Sequence, residues 1–275
     1  MKCVHIYQKF VYKCRQVASF CRHTRTPLAL SLDTLYLKRG PFVAVSGDGL
    51  RLRIKPRSGE SFTFYENMVR HDYLIDGITL RPGATVVDIG ANIGAFAVMA
   101  ASIVGPRGRV IAFEPIPETF ERLRENVALN GLGQVECRRA AIDAEEGEIA
   151  LRVAAKSSGA TAHRITRLGD DQHARVETAP CLTLNRVFEE YQIDRINLLK
   201  VDCEGSEYGI FDSLDPGLAA RIDQVAMEVH AVEGKSTERL GERLRTLGFD
   251  LRRSYLWYLW VAFNAAGHPA GDRVG

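Results

Sequence analysis

The sequence predicts an α/β fold built on a doubly wound, mostly parallel β-sheet with an antiparallel terminal strand. From about residue 80, short apolar runs rich in β-branched residues alternate with segments of helical periodicity, which is typical of a parallel sheet covered by helices on both faces. A glycine-containing turn follows the first of these runs, where such sheets pass from strand to helix. Residues 251–263 are predicted to form a terminal antiparallel pair.

Each element is predicted from apolar periodicity and from the residues that begin or end it. Pro117 is tolerated in a first helical turn, Gly131 ends the same helix, and Thr183 is a typical N-cap. The predicted strands cover 84–89, 110–114, 135–138, 196–202 and 225–229, and the predicted helices cover 94–101, 117–131, 183–191 and 236–247.

Three segments are expected along the chain. Residues 1–30 form a basic segment with six Lys or Arg residues and no acid, residues 31–80 form strands and a helix that pack on the core, and residues 81–275 form the main domain. Within residues 3–21, apolar side chains recur at helical spacing, which predicts a basic amphipathic helix. We expect its apolar stripe to pack on the domain. Contact with an anionic membrane surface or a partner, or a transit peptide, are the alternatives.

The alternation of strands and helices is interrupted by residues 148–180, which we interpret as an insertion in the main domain near the mouth of the site. It opens with a strand-like run at 149–153 and continues with a polar stretch of mixed charge. Together with residues 64–73, the part of the insertion around Ser157 is expected to form a lid.

The composition excludes several classes of protein. The chain has 275 residues, of which 46% are apolar, enough for one large or two small folded domains. Its net charge of +2 argues against nucleic-acid binding. The six cysteines include no C-x-x-C pair, so neither a zinc site nor a disulfide framework is expected. The apolar runs are shorter than the roughly 20 residues of a membrane span, and we expect a cytoplasmic protein with membrane association as an option.

The residues after the first predicted strand indicate a nucleotide-type ligand. Gly90 and Gly94 give a G-x-x-x-G spacing in which the backbone can approach a ligand closely. Asn92, between them, is among the few non-glycine residues that tolerate positive φ. The spacing differs from the G-x-G-x-x-G that holds a dinucleotide pyrophosphate, which argues against NAD. A branched side chain at Gly90 is expected to block the ligand while the domain stays folded.

Two carboxylates narrow the ligand further. Asp88 ends the first strand and offers a partner for an ammonium group. Glu114 ends the second strand, where a carboxylate typically accepts both hydroxyls of a ribose. Each residue alone has a plain interpretation as a turn or strand end, but their placement at the ends of adjacent strands predicts S-adenosylmethionine as the ligand.

Four motifs resemble those of the FkbM family of methyltransferases. They are V-V-D-I-G-A-N-I-G at 86–94, F-E-P at 113–115, N-V-x-L-N at 126–130 and L-K-V-D-C-E-G-S-E at 199–207, and the resemblance spans about residues 60–264. Asn185 and Asn197 stand where Asp is expected in the family. These changes preserve capping and hydrogen bonding, so they affect local detail alone.

The resemblance implies a class I methyltransferase fold, which is Rossmann-like, with S-adenosylmethionine as the methyl donor. It also implies O-methylation of hydroxyls on sugars, glycoconjugates or natural products. The donor-binding residues it implies are Asp88, Gly90, Ala91, Asn92, Gly94, Glu114, Pro115, Ala141, Ile142 and Asp202.

The candidate catalytic residues follow the fourth and fifth strands of the main domain. Lys200, Asp202 and Glu204 alternate, so they are expected to project on one face, an arrangement that is costly in an apolar strand unless the charges are paired or used. Asp202 or Glu204 is the first candidate to accept the hydroxyl proton, and His230 is the second. The structural alternative is that Lys200 pairs with an acid to hold the strand end.

The expected reaction depends mainly on positioning, because a sulfonium donor is already a strong electrophile. No metal is expected, although Asp202, Glu228 and His230 at neighbouring strand ends offer an alternative site for a divalent cation. The alternatives to an O-methyltransferase are a non-catalytic protein that binds a nucleotide or S-adenosylmethionine and a nicotinamide-dependent oxidoreductase. The acceptor is expected to be a small molecule or a glycan hydroxyl, and the sequence does not indicate an oligomeric state.

Overall fold

The computed structural model describes residues 2–153, 162–164, 175–256 and 258–265. Side chains are described for residues 11–153, 175–256 and 258–265. The lid candidate around Ser157 and most of the polar part of the expected insertion therefore lie outside the described residues.

Helices and strands are numbered here in chain order. The N-terminal part contains α1 (Lys2–His23), α2 (Pro27–Thr34), β1 (Phe42–Val45), β2 (Arg51–Ile54), α3 (Glu60–Tyr65), a π-helical turn (Glu66–Arg70) and a 3-10 turn (Asp72–Leu74). The main domain continues with β3 (Thr85–Ile89), α4 (Ala95–Val104), β4 (Arg109–Phe113), α5 (Pro117–Leu129), β5 (Val135–Arg138), β6 (Ala141–Ile142), β7 (Gly147–Val153), β8 (Ala162–Arg164) and β9 (Arg175–Leu182). It ends with α6 (Leu184–Glu190), β10 (Leu198–Val201), α7 (Glu207–Ser213), α8 (Pro216–Ala219), β11 (Gln224–Glu228), α9 (Thr237–Thr246), β12 (Phe249–Arg253) and β13 (Leu259–Asn264).

The central sheet has seven strands in the order β12-β13-β11-β10-β3-β4-β5. Strand β13 is antiparallel to both of its neighbours, whereas the pairs from β11 to β5 are parallel. The predicted doubly wound, mostly parallel sheet with an antiparallel terminal strand is thus confirmed. Because β10 lies between β3 and β11, the residues that follow these three strands meet at one edge of the sheet.

Alternation along the strands divides the apolar side chains between two cores. Val86 and Val110 face a core that α4 and α5 cover, while Val87 and Ile111 face a core that α6, α7 and α9 cover. All four side chains are fully buried. Helices therefore cover both faces of the sheet, and the edge formed by the carboxyl ends of the parallel strands is left for a site.

Strand β10 is shorter than the expected 196–202 and ends before Asp202. The backbone N–H of Asp202 still donates to the carbonyl of Ile89 at 3.0 Å, but Glu204 adopts a φ of +54° in the left-handed region. The period-two alternation expected for Lys200, Asp202 and Glu204 therefore stops at Asp202. The chain turns here because Gly205 and the start of α7 follow directly.

The expected insertion contains a small second sheet of order β6-β9-β7-β8. Strand β7 covers the strand-like run at 149–153 and pairs antiparallel with β9. Ile149, Leu151, Ala179 and Cys181 form a third apolar cluster with Ile116 and Ala141. This sheet therefore packs beside the carboxyl end of β4.

The N-terminal helix α1 packs on the domain through a face that differs from the expected apolar stripe. Phe20 is fully buried in the first core and Gln16 is also buried, whereas Cys14, Ala18 and Cys21 are exposed. Gln16 and Phe20 are four residues apart, so they lie on one face of the helix. This face, which packs on the domain, lies beside the expected apolar stripe. Among the described residues, no helix combines the length and apolar character needed to cross a membrane.

Candidate active site

The turn after β3 has the backbone conformation that its glycines and Asn92 predict. Gly90, Asn92 and Gly94 have φ values of +74°, +51° and +85°. A Cβ atom at Gly90 would collide with the carbonyl oxygen of Asp202 on the neighbouring strand end. The expectation that a side chain here would block a ligand in a folded domain is therefore wrong. The glycine is needed because two backbones pass each other at this point.

Glu114 holds this turn against the end of β4. One carboxylate oxygen accepts the backbone N–H of Asn92 at 3.0 Å, and the other accepts the backbone N–H of Ile116 at 2.9 Å. A carboxylate has about four acceptor positions, so two remain for a ligand. Burial raises the pKa of Glu114 to about 7 despite these two hydrogen bonds. Glu114, which was expected to bind the ribose, therefore also orders the turn through its two hydrogen bonds.

A cleft opens between this turn and the small sheet. Most of the residues expected to bind the donor line it, namely Gly90, Asn92, Glu114, Pro115, Ala141, Ile142 and Asp202. Its remaining walls are Ile89, Ala140, Leu151, Cys203, Glu204 and Ser206. Ala91, Gly94 and Asp88, which were expected to bind the donor, are not among the lining residues. The cleft therefore combines an apolar wall, suited to a flat base, with carboxylates at both ends.

Asp88 and Lys200 form a buried ion pair behind the cleft. The Lys200 Nζ lies 3.0 Å from the Asp88 carboxylate and donates to the carbonyl of Gly90 at 2.7 Å. Burial lowers the pKa of Lys200, but the carboxylates of Asp88 and Asp202 outweigh it and leave the pKa raised. Both side chains are almost fully buried, so Lys200 holds the turn and the strand end together. This arrangement favours the structural alternative for Lys200 over a catalytic one.

Asp202 stands where the turn after β3 meets the end of β10. One oxygen accepts the Tyr73 hydroxyl at 2.9 Å, and the same oxygen lies 3.8 Å from the Lys200 Nζ. Its other oxygen lies 3.9 Å from His230 Nε2. The sequence placed Tyr73 at the end of the lid candidate and did not link it to Asp202, because it precedes Asp202 by 129 positions and no local pattern joins the two.

His230 is enclosed by carboxylates, as its place after β11 predicts. Its Nε2 lies 3.5 Å from Glu204 and 3.7 Å from Glu228, and its Nδ1 lies 3.4 Å from Glu207. Burial lowers the pKa of His230, but the hydrogen bond to Glu207 and the surrounding acids raise it to about 9. This raised pKa does not favour His230 as the second candidate base. At pH 7 the ring is an imidazolium that balances the acids.

Glu207 is the first residue of α7, and its carboxylate also links two strand ends. It is fully buried, and its oxygens accept the backbone N–H groups of Gly205 at 2.8 Å and of His230 at 2.7 Å. This carboxylate joins the segment after β10 to the segment after β11. It is therefore a positioning residue for His230.

Glu228 ends β11 next to Asp202, and the sequence identified it only as a possible metal neighbour. Burial raises its pKa to about 7, with further contributions from Asp202 in the same direction and from His230 in the opposite one. Single side-chain atoms of Asp202, Glu228 and His230 lie within 4.8 Å of one another, close enough to share a cation. The protonated His230 ring already balances part of the negative charge of these carboxylates, as a bound cation would.

A second cavity of about 360 Å³ opens on the other side of this acid cluster. It is lined by Tyr12, Phe62, Glu66, Arg70, Glu228, Tyr255, Leu256 and Tyr258. Glu228 lines this cavity and Asp202 lines the cleft, and single carboxylate oxygens of the two residues lie within 4.8 Å of each other.

The fold and the site define a class I methyltransferase, through the sheet order, the single antiparallel strand and the cleft at the ends of β3 and β4. In this class an acidic residue after the second strand faces the cofactor. Within this class the chain belongs to the FkbM family. Residues 88–255 match the model of the methyltransferase FkbM domain. The matched range lies inside the span of about 60–264 expected from the motifs. S-adenosylmethionine is the cofactor.

The chain is also similar to characterised proteins. It is 32% identical over 246 residues to the 31-O-demethyl-FK506 methyltransferase FkbM of Streptomyces tacrolimicus, covering 80% of this chain and 90% of the relative. It is 30% identical over 226 residues to the AMB antimetabolite synthetase AmbE of Pseudomonas aeruginosa, covering 69% of this chain but only 10% of that protein. The hexuronic acid methyltransferase AglP of Haloferax volcanii is 29% identical over 154 residues, which cover 56% of this chain and 59% of AglP.

Proposed function

We propose that this methyltransferase transfers its methyl group to a hydroxyl oxygen of a sugar, a glycoconjugate or another natural product. The observation that carries the proposal is that Asp202 lines the cleft while Glu228, whose carboxylate has an oxygen within 4.8 Å of one on Asp202, lines the second cavity. A donor in the cleft and an acceptor in the cavity would have their reacting ends at this pair. The relatives FkbM and AglP are named for an O-demethyl substrate and a hexuronic acid, which supports an oxygen acceptor of this kind.

The residues of the cleft fit S-adenosylmethionine. Glu114 keeps two acceptor positions for ribose hydroxyls, and the apolar wall with Ala141, Ile142 and Leu151 suits an adenine ring. Asp202 and Glu204 at the opposite end offer carboxylates to a cationic sulfonium or ammonium group. Asp88 would act through the turn, because its side chain lies buried behind Gly90 with Lys200.

The chain's own residues position the acceptor and remove its proton. S-adenosylmethionine supplies an electrophilic methyl group, whose transfer breaks a carbon–sulfur bond, forms a carbon–oxygen bond and releases the hydroxyl proton. A carboxylate at the junction, Asp202 or Glu228, accepts that proton. The Tyr73 hydroxyl and Lys200 orient Asp202 for this task, and the protonated His230 holds the acids together.

The proposal is tested with the full chain, S-adenosylmethionine labelled in its methyl group, and a panel of saccharides, nucleotide sugars and lipid-linked glycans. We expect release of S-adenosylhomocysteine and a labelled methyl ether in one acceptor class. Label attached to nitrogen or sulfur, or binding of the donor without consumption across the panel, would contradict O-methylation. The second outcome would favour the non-catalytic alternative. Tight binding of NAD would favour the oxidoreductase.

For the N-terminal segment we propose peripheral contact with an anionic membrane surface. The outward face of α1 carries exposed Cys14 and Ala18 beside the basic Lys13 and Arg15, and residues 35–37 add three exposed apolar side chains. Sedimentation with phosphatidylglycerol vesicles, compared with phosphatidylcholine vesicles, tests this contact. Equal recovery of the protein with both lipids would contradict it.

A further inference from the structure

The second cavity is bordered by parts of the chain that are distant in sequence. Tyr12 comes from α1, Phe62 from α3, Glu66 and Arg70 from the π-helical turn, and Tyr258 from the segment before β13. Glu228 forms the inner end, where the cavity reaches the acid cluster. The N-terminal helix therefore supplies a wall of a space that ends beside the reacting groups.

Aromatic rings dominate the outer walls of this cavity. The Tyr12 and Phe62 ring centroids lie 6.3 Å apart, with an angle of 53° between their planes. Both rings are partly exposed, and the Tyr255 side chain is 75% exposed at the rim. Exposed aromatic faces at a cavity mouth bind flat apolar surfaces, including the face of a six-membered ring.

The charges of the cavity oppose an anionic guest. Arg70 is the one cation among the described lining residues, and its guanidinium is already paired with Asp72 at 2.9 Å. Its Nη1 also donates to the Tyr12 hydroxyl at 3.2 Å. Burial and the carboxylates of Asp72, Asp202 and Glu228 raise the pKa of Glu66 to about 9, so Glu66 is a neutral hydrogen-bond donor at pH 7. A carboxylate on the bound molecule would lie near acids and would find no unpaired cation among the described lining residues.

We propose that this cavity is the acceptor subsite and that it takes an uncharged six-membered ring whose hydroxyl points toward Glu228. The ring stacks on Tyr12 and Tyr255, and Glu66 donates a hydrogen bond to a ring substituent. The inference rests on the proposed function, because it assigns the acceptor for that reaction. It adds that the acceptor carries no negative charge, unlike a hexuronic acid.

The test measures equilibrium binding to the full chain with S-adenosylhomocysteine present, so that no turnover is needed. The probes are the methyl glycosides of glucose, galactose, mannose, rhamnose and N-acetylglucosamine, the matching uronates of the first three, and trans-1,2-cyclohexanediol. We expect at least one neutral ring to bind more tightly than every uronate. A preference for the diol would assign a carbocycle, and a preference for a glycoside would assign a sugar.

Two exposed aromatic residues test the location. Tyr12→Ala and Tyr255→Ala should each weaken binding of the preferred neutral ring about 3- to 10-fold, the range measured for aromatic pairs. Binding of S-adenosylhomocysteine should not change. Tyr36→Ala, which removes an exposed ring that does not line the cavity, is the matched control and should have no effect.

A third variant tests the charge selection. Asp72→Asn leaves Arg70 without its carboxylate partner and should improve uronate binding relative to the neutral ring, with melting temperature monitored to confirm folding.

The inference is overturned if uronates bind best in the unmodified protein, if no probe binds, or if the tyrosine variants bind normally. Those results would leave methyl transfer itself intact, whereas failure to consume the donor in the turnover panel would refute the proposed function separately.

Discussion

The donor cleft and the second cavity lie on opposite sides of Asp202 and Glu228, and they are assembled from different kinds of chain segment. The cleft is built mainly from the turn after β3, the end of β4 and the small sheet, with backbone groups fixing its shape. The second cavity is built from side chains of α1, α3, the π-helical turn and the last hairpin. A site formed by backbone turns tolerates few changes, while a site formed by distant side chains can vary in specificity on a constant fold.

The largest expected effect is on turnover at the junction of the two spaces. Asp202→Asn and Glu228→Gln keep the shape of each side chain but remove a proton acceptor, so the residue that acts as the base should show turnover reduced about 10²- to 10⁴-fold. Donor affinity, turnover and melting temperature are measured together. Asp212→Asn, an exposed acid on α7, is the control.

Glu204→Gln and His230→Ala complete that comparison. His230→Ala should lower stability by removing the cation among four carboxylates. Near-normal turnover in every one of these variants would show that alignment alone drives the reaction, without a side-chain base.

The turn after β3 is expected to be the position least tolerant of a side chain. Gly90→Ala should destabilise the protein by about 3 kcal/mol or more, because the added Cβ overpacks against the Asp202 backbone. Gly131→Ala is the matched control, since Gly131 has a similar φ of +65° but open space around it. Its cost should be about 1 kcal/mol. Equal melting temperatures for the two variants would contradict the close approach of the two backbones.

Donor affinity should depend on Glu114. Glu114→Ala should weaken binding of S-adenosylmethionine by about 2–3 kcal/mol through the loss of charge-assisted ribose contacts. It should also lower stability, because the N–H groups of Asn92 and Ile116 lose their acceptor. Calorimetry compares it with Glu146→Ala, an exposed acid near the small sheet. Unchanged affinity would place the ribose elsewhere.

The smallest expected effect is a pH dependence on the cavity side. The pKa of Glu66 is raised from 4.5 to about 9 by burial and by Asp72, Asp202 and Glu228, with Arg70 opposing. The folded protein thus retains a proton that the unfolded chain releases, and this contribution to stability is lost as pH rises from about 4.5 through 9.

Glu66→Gln removes that ionisation, so it should be more stable relative to the parent protein at pH 9 than at pH 6, by about 1 kcal/mol or more. Urea denaturation at both pH values measures the difference, and Glu242→Gln on the outer face of α9 serves as the control. A difference that does not change with pH would show that Glu66 is ionised at neutral pH.

The cleft side could be predicted well from local pattern. The strand at 135–138, the Thr183 cap and the positive φ of Asn92 are all present in the structure. Seven of the ten residues expected at the donor line the cleft. Local prediction works here because a strand, its turn and the next strand are close in sequence, and backbone geometry follows from residue type.

Charge pairing and the second cavity depended on the tertiary structure. Sequence alone determined the sheet, the glycine turn and the acids at the strand ends, since periodicity and turn chemistry are local properties. The protonation of His230, the pairing of Lys200 with Asp88 and the lining of one cavity by both Tyr12 and Tyr258 were decided by folding. A pKa depends on burial and on every nearby charge, and a cavity depends on which distant side chains the packed core brings together.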